Sequence, residues 1–321
     1  MNDPNLSIHV VAAVIVDPRG YYLLSRRQES SDLPGLWEFP GGKREAGETS
    51  EDALRRELYE ELGITAEIGD PLIQVPQIYP HKKIRLEVRH VRAWTGSLHG
   101  REGQALMWVD PHKLLRYSMP SADLPAVAAL LDPDQLWIAD FSDDDLQCWD
   151  EQLNDLLDHC SSRMILQRST RSSLETWQQL LRTCVRAHRR SLSKVQCLLA
   201  DQIDLARELD LGIHLSEDQL RACRQRPLAS DQLVGASCSS LEGLRYAQQI
   251  RCDYAVLTIT PTSFLPSVQD WQTFEHFRAR VSLPLYVADI GAESNVFGVR
   301  QHGAQGIVRK YVFAASSLAG Q

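Results

Sequence analysis

Three glutamates, Glu57, Glu60 and Glu61, stand at i, i+3 and i+4. On a helix this spacing puts their carboxylates on one face. Acids packed this closely repel one another unless a cation sits between them, and hard carboxylate oxygens suit Mg²⁺ or Mn²⁺. Arg56, four residues before Glu60, is placed to orient it. Just upstream, Pro40-Gly41-Gly42 offers bare backbone that can approach a ligand closely. A run of acids alone is most often a solvated helix face. What sets this one apart is fixed spacing: Gly42, five residues, Glu48, seven residues, then Arg56-Glu57-Leu58-Tyr59-Glu60-Glu61-Leu62-Gly63-Ile64. A cation held by such acids would neutralise phosphate oxygens, orient a phosphate chain and lower the pKa of a bound water.

The element that must carry these acids is a helix over Ser50–Leu62, built from good helix formers with no internal Gly or Pro. Thr49 is its expected cap, Glu51 and Asp52 suit its positive end, and Gly63 its stop. Leu54, Leu58 and Leu62 recur every four residues and form its buried stripe. Before the helix, Ile8–Val16 reads as a buried strand, Asp17–Gly20 as a turn and Tyr21–Ser25 as a returning strand. After it, Ile84, Leu86 and Val88 alternate with Arg85, Glu87 and Arg89, a half-buried strand. Gly96–Gly103 is a turn region, Trp108-Val109 begins a short strand, and Leu124–Leu131 is a closing helix. The expected fold is an α+β sandwich with a mixed sheet between helices.

The spacing from Gly42 to Ile64 resembles the Nudix box, the signature of hydrolases that cut nucleoside diphosphates linked to other groups. With its lead-in, Leu36-Trp37-Glu38-Phe39-Pro40-Gly41-Gly42-Lys43, it resembles the MutT branch, across about Val10 to Leu131. That branch hydrolyses 8-oxo-dGTP to the monophosphate and pyrophosphate, keeping oxidised guanine out of DNA. The resemblance implies a metal site of Glu57, Glu60, Glu61, Glu102 and the Gly41 carbonyl, with Glu102 in the run Arg101-Glu102-Gly103-Gln104. It implies that Arg27 touches the nucleotide, that Glu38-Phe39-Pro40 lines it, and that Arg27 and Lys43 contact phosphate. Either Glu60 or Glu102 could take a proton from the attacking water. The family's base-reading asparagine falls on Asp123, within Pro120-Ser121-Ala122-Asp123-Leu124-Pro125. A carboxylate accepts hydrogen bonds but donates only when protonated, so a changed or broader base preference follows. Asp123 also stands where a helix N-cap would.

Past a linker at Asp132-Pro133-Asp134, short apolar runs alternate with helical stretches. Strands are expected at Leu136–Ala139, Met164–Gln167, Val195–Leu199, Gly212–His214, Leu233–Ala236, Tyr254–Leu257, Leu283–Val287 and Gly306–Arg309. Helices are expected between most of them, at Asp145–His159, Leu174–His188 and Leu241–Gln249 for instance. This order predicts a compact (β/α)₈ barrel over residues 132–321, behind a first domain of residues 1–131, in a chain that is α/β as a whole. The stretches Leu211–Asp218 and Val234–Glu242 resemble thiamine-phosphate synthase, a Mg²⁺ enzyme. Asp201 and Asp218 match its metal-binding aspartates, and Arg168 part of its pyrophosphate-binding run. Its lysine after the Thr-Pro-Thr run is Ser263 here, Asp289-Ile290 replace paired glycines and leave only Gly291, and Arg309 and Lys310 stand where small residues belong. Bulky side chains there keep backbone amides from a phosphate, which points to a structural or ligand-sensing barrel.

Composition narrows the partners. The 321 residues carry a net charge of −8, which argues for a small nucleotide partner and against duplex nucleic acid. No apolar run approaches a membrane span, and the N-terminal residues lack a signal pattern. Seven scattered cysteines without C-x-x-C spacing fit reduced core thiols in a cytoplasmic protein. Three functions stay open: a sanitising 8-oxo-dGTP pyrophosphatase, a hydrolase of another nucleotide or a thiamine-pathway pyrophosphate (or a synthase active in the barrel), and a sensor whose box only binds.

Overall fold

The computed structural model describes residues 7–141, 146–159, 162–169, 173–258, 267–288, 295–311 and 313. The first elements are β1 (Ser7–Val14), β2 (Tyr22–Arg26), β3 (Trp37–Glu38), β4 (Gly41–Lys43), α1 (Ser50–Leu62), β5 (Ile64–Tyr79), β6 (Lys82–Gly96), β7 (Leu106–Val109) and α2 (Leu124–Leu131). They are followed by β8 (Gln135–Phe141), α3 (Leu146–His159), β9 (Arg163–Arg168), α4 (Leu174–Ala187), α5 (Arg189–Leu192), β10 (Gln196–Ala200) and α6 (Ile203–Leu209). Then come β11 (Gly212–Leu215), α7 (Glu217–Ala222), β12 (Val234–Cys238), α8 (Leu241–Gln249), β13 (Tyr254–Thr258), α9 (Val268–Arg278), β14 (Leu285–Ala288), α10 (Val296–Arg300) and β15 (Gly306–Tyr311). Two compact units result. One holds the described residues up to 132 with 267–284 and 295–305, and the other holds the remainder.

In the first unit a four-stranded sheet runs β4-β1-β6-β5, with β1 parallel to β6 and the other pairs antiparallel. A smaller antiparallel sheet runs β3-β2-β7. Alternation along β1 explains the layering, because successive side chains leave a strand on opposite faces. Val11 and Ala13 pack with Leu54, Leu58 and Leu62 of α1. Ala12 and Val14 pack on the other side with Phe39, Ala126 and Val127. The expected mixed sheet between helices is therefore what forms.

Helix α1 has the expected bounds. Thr49 accepts from the Asp52 N–H, and Gly63 closes the helix at φ 70°. Strand β5 is the element that pattern alone misses. Its run contains Gly69, Asp70, Pro71 and Pro76, residues that normally end strands. It survives because it is the sheet edge and because register shifts between Glu67 and Ile73 absorb the breakers. Strand β7 lies slightly earlier than expected, ending at Val109.

The second unit is a closed barrel of eight parallel strands, β10-β11-β12-β13-β14-β15-β8-β9. Its interior is filled rather than hollow. Leu136, Ile165, Leu198, Tyr254, Val256 and Tyr286 pack together there. Arg163 is buried against the Tyr254 ring, 4.8 Å from its centroid, and donates to the Tyr286 hydroxyl at 3.2 Å. His214 sits between the Tyr254 hydroxyl (3.0 Å) and Ser237 Oγ (2.9 Å), and burial pushes its pKa down to about 4. Gly235 makes room for Tyr254, whose ring would lie 2.1 Å from a Cβ at that position.

Candidate active site

Loop and helix are locked together by Arg56. Its guanidinium forks onto Glu48 (2.8 and 3.0 Å), donates to Glu57 Oε1 (2.9 Å) and the Lys43 carbonyl (3.0 Å), and reaches Glu60 Oε2 (3.2 Å). Hydrogen bonds from Arg56 hold the Glu48 carboxyl down to about 2. The glycine pair is needed for close approach. A Cβ on Gly41 would stand 2.1 Å from the Val11 carbonyl, and one on Gly42 would stand 2.3 Å from the Glu57 carboxyl group.

The three box glutamates do not share one environment. Glu57 and Glu61 are half-buried toward the glycine loop, whereas Glu60 is exposed and drawn to Arg56. Burial, then the charges of Glu102, Glu57 and Glu38, push Glu61 up to about 8, and the Gly41 N–H donates to it. Burial likewise raises Glu57. Glu102 is held beside Glu61 by Gln104, whose Oε1 accepts from the Glu102 N–H (3.0 Å) and whose Nε2 donates to the Glu61 carbonyl (3.1 Å).

Of these acids, Glu61 and Glu102 line a cavity of about 400 Å³. Gly41, Lys43, Phe39, Ile84, Leu86 and Asp123 line it too. Arg27 and Glu38 also line it and form an ion pair, with Arg27 Nε donating to the Asp32 carbonyl at 2.5 Å. Burial raises the Glu38 carboxyl despite Arg27. Asp123 is 6 % exposed, and burial pushes it up to about 8. It occupies the N-cap position of α2 but makes no side-chain cap bond; its Oδ1 lies 3.5 Å from the Phe39 N–H. Pro40, which follows Phe39 in sequence, is buried as well.

Among the lining residues not anticipated are Tyr79 and Lys82, at the tip of the β5–β6 hairpin. Lys82 lies over the Tyr79 ring and pairs with Asp32 at 2.6 Å. The signal for them was the turn at Pro80-His81, which becomes visible once β5 is recognised as a strand.

Among the described residues, no three His, Cys, Asp or Glu side chains stand together as a ready metal cage. Arg56 draws Glu57 and Glu60 to itself instead. In kind the donors still fit a divalent cation, because Glu57, Glu61 and Glu102 offer hard carboxylate oxygens whose like charges act on one another. In the barrel, Asp201 accepts from the Ser216 N–H at 2.7 Å, Asp218 is exposed in the first turn of α7, and Lys310 pairs with Asp140 at 2.7 Å. Arg168 ends β9, and Arg309 lies within β15. Ser263 and residues 289–291 lie outside the described residues, as do the side chain of Cys148 and residue Cys160. The five described cysteines are free, and burial pushes Cys197, Cys238 and Cys252 up to about 12. No described helix is long and apolar enough to cross a membrane.

Comparison with known proteins adds two family matches, a NUDIX domain over residues 11–129 and a thiamine monophosphate synthase over residues 138–309. A CTP pyrophosphohydrolase of Escherichia coli is 42% identical over 124 residues, 39% of this chain and 91% of the relative. An 8-oxo-dGTP diphosphatase of Haemophilus influenzae is 40% identical over 124 residues, with the same two shares, 39% and 91%. A second 8-oxo-dGTP diphosphatase, from Escherichia coli, is 32% identical over 123 residues, 38% of this chain and 95% of the relative.

Proposed function

Because the chain belongs to the Nudix family through its first half and to the thiamine monophosphate synthase family through its second, we propose that it hydrolyses 8-oxo-dGTP to 8-oxo-dGMP and pyrophosphate. Its class is a hydrolase of phosphoanhydride bonds, MutT-like and dependent on a divalent metal. The observation that carries the substrate reading is Asp123. It is buried in the same cavity as Glu61 and Glu102, and its pKa of about 8 leaves it protonated at neutral pH. A protonated carboxyl both donates and accepts, as an amide does, so the departure from asparagine keeps the hydrogen-bonding capacity a purine edge needs.

In this reading Mg²⁺ is the cation, held by Glu57, Glu60, Glu61, Glu102 and the Gly41 carbonyl, and it supplies charge neutralisation on the phosphate oxygens. Lys43 adds a positive charge at the same end. Glu102 is our candidate for taking the proton from attacking water, since it lines the cavity, whereas Glu60 is paired with Arg56. Arg27, paired with Glu38 and lining the same cavity, would contact the nucleotide and its phosphate. By sequence we assign residues 1–131 to the hydrolase domain and residues 132–321 to the barrel domain, while residues 267–284 and 295–305 pack in the first compact unit. The barrel is read as a structural or ligand-sensing domain, supported by Arg309 and Lys310 standing on its last strand.

One observation favours a second reading. A carboxyl group also suits the exocyclic amine of cytosine, and one of the relatives is a CTP pyrophosphohydrolase. Pyrophosphate release from 8-oxo-dGTP, dGTP, CTP, dCTP and thiamine diphosphate, with and without Mg²⁺, separates the two. A metal-dependent preference for 8-oxo-dGTP is expected. A preference for CTP moves the protein to the second reading, and turnover of thiamine diphosphate alone removes both.

A further inference from the structure

The walls of the nucleotide cavity are held from behind by residues that come much later in the chain. Strand β6 gives Ile84 and Leu86 to the cavity, and Arg85 between them leaves the opposite face. Its guanidinium meets Glu275 of α9, Nη2 to Oε2 at 2.6 Å and Nη1 to Oε1 at 3.4 Å. His302 contacts Glu275 Oε1 from the other side at 2.8 Å, and its ring stacks on Trp271 with centroids 4.3 Å apart. The second wall is the start of α2, where Ala122 and Asp123 face the cavity. The other end of that helix is bonded from outside as well, although the Ala128 carbonyl already accepts the Asp132 N–H at 2.8 Å. Arg300 Nη2 donates to the Ala129 carbonyl (3.2 Å), and Gln305 Nε2 donates to those of Ala128 (3.0 Å) and Asp132 (3.2 Å). Gly303, at φ +88°, lets this segment lie on β5, since a Cβ there would stand 2.9 Å from the Gln74 carbonyl.

We propose that Glu275, His302, Arg300 and Gln305 are positioning residues of the nucleotide site: they fix strand β6 and helix α2, the two elements that carry its base-facing residues. The hydrolase site is thereby completed by the synthase-like part of the sequence. The family match to thiamine monophosphate synthase runs through residue 309 and includes all four. A relative of which 91% is covered by 124 aligned residues has no room for counterparts of α9 and α10. In this chain the barrel sequence thus has a use that needs no synthase activity. The proposal rests on the nucleotide reading of the cavity.

The test uses the full chain and the variants Glu275→Gln, Arg85→Met, their double, and Gln305→Leu. KM and kcat are measured for the best nucleotide, with the Mg²⁺ half-saturation, the melting temperature and the affinity for the nucleoside monophosphate product. Each single variant should raise KM about three- to tenfold while leaving kcat and the Mg²⁺ dependence within about twofold. The double should be no worse than Arg85→Met alone, because the two side chains act as one contact. Melting temperatures that fall while KM stays put overturn the proposal and leave the contacts merely structural. Should Glu275→Gln fail to fold, His302→Phe keeps the stack on Trp271 and removes the bond to Glu275; an unchanged KM there is equally fatal. If the wild type releases pyrophosphate from no nucleotide, the functional reading fails. Monophosphate affinity, variant against wild type, then decides the positioning claim by itself.

Discussion

Replacing Asp123 by asparagine should make the protein more stable, and increasingly so as pH rises. The side chains are nearly isosteric, and the Oδ1 that faces the Phe39 N–H at 3.5 Å is retained. What changes is the proton. In the unfolded chain the carboxyl ionises near the ordinary aspartate value of 3.8, while in the fold burial holds the proton to about 8. Between those values the folded state carries one more proton than the unfolded state. Wild-type stability therefore falls as pH rises through this window and levels off above about 8. Each pH unit corresponds to ~1.4 kcal/mol, so the two units from pH 6 to 8 give an upper figure of ~3 kcal/mol. For a domain of this size that is on the order of 5–10 °C in Tm.

The assay is thermal unfolding of wild type and Asp123→Asn at half-unit steps from pH 6 to 9. Their Tm values should diverge upward through pH 8 and then run level. Parallel curves across the whole range would refute the claim that Asp123 is buried as a neutral acid. Activity gives an independent reading. Above about pH 8 the wild type loses its donor at this position, so its discrimination between 8-oxo-dGTP and CTP should change with pH, whereas that of Asp123→Asn should not.

Other perturbations test the catalytic end. Glu61→Gln should lower kcat by roughly three orders of magnitude, the loss of several kcal/mol of charge stabilisation. Because burial already disfavours the ionised form of Glu61, the amide should leave Tm at pH 7 unchanged or higher; turnover near wild type would dismiss its metal role. Arg56→Ala should cut kcat about tenfold by releasing Glu48 and Glu57, and Arg56→Lys should not restore it, since an ammonium cannot fork onto Glu48. Full activity in the lysine variant would show that only the charge matters. Gly42→Ala drives a methyl into the Glu57 carboxyl group, so the Mg²⁺ needed for half-activity should rise at least about tenfold with the fold intact. An unaltered metal titration would mean that Glu57 is not a ligand.

How far the sequence could be read depended on how local the information was. Helix α1 was legible end to end because its cap, its acidic first turn, its leucine stripe and Gly63 all lie within one contiguous run. The barrel strands were legible because each is a short apolar run set off by turn residues, and parallel strands buried on both faces need little else. Strand β5 was hidden because its sequence argues against it. Only its place at the sheet edge makes Pro71 and Pro76 tolerable, and edge position is not written in the strand itself.

The site divides along the same line. Box spacing gave the residues that crowd around Gly41, but not how they divide: that Glu61 is buried to a pKa of about 8 while Glu60, one residue earlier, stands exposed on Arg56. Adjacent residues on a helix differ by about 100° in direction, so a shared face at i+3 and i+4 is a wide sector with two environments. Asp123 makes the same point from the opposite side. In sequence the change from amide to acid reads as a change of hydrogen-bonding character. In the fold, burial returns the proton and with it most of the amide's character. Residue type sets which chemistry is possible at a position, and the surroundings choose the protonation state in which it is used. Those surroundings include Glu38, Phe39 and Arg27, at least 84 residues earlier in the chain, where no local pattern around Asp123 could have pointed.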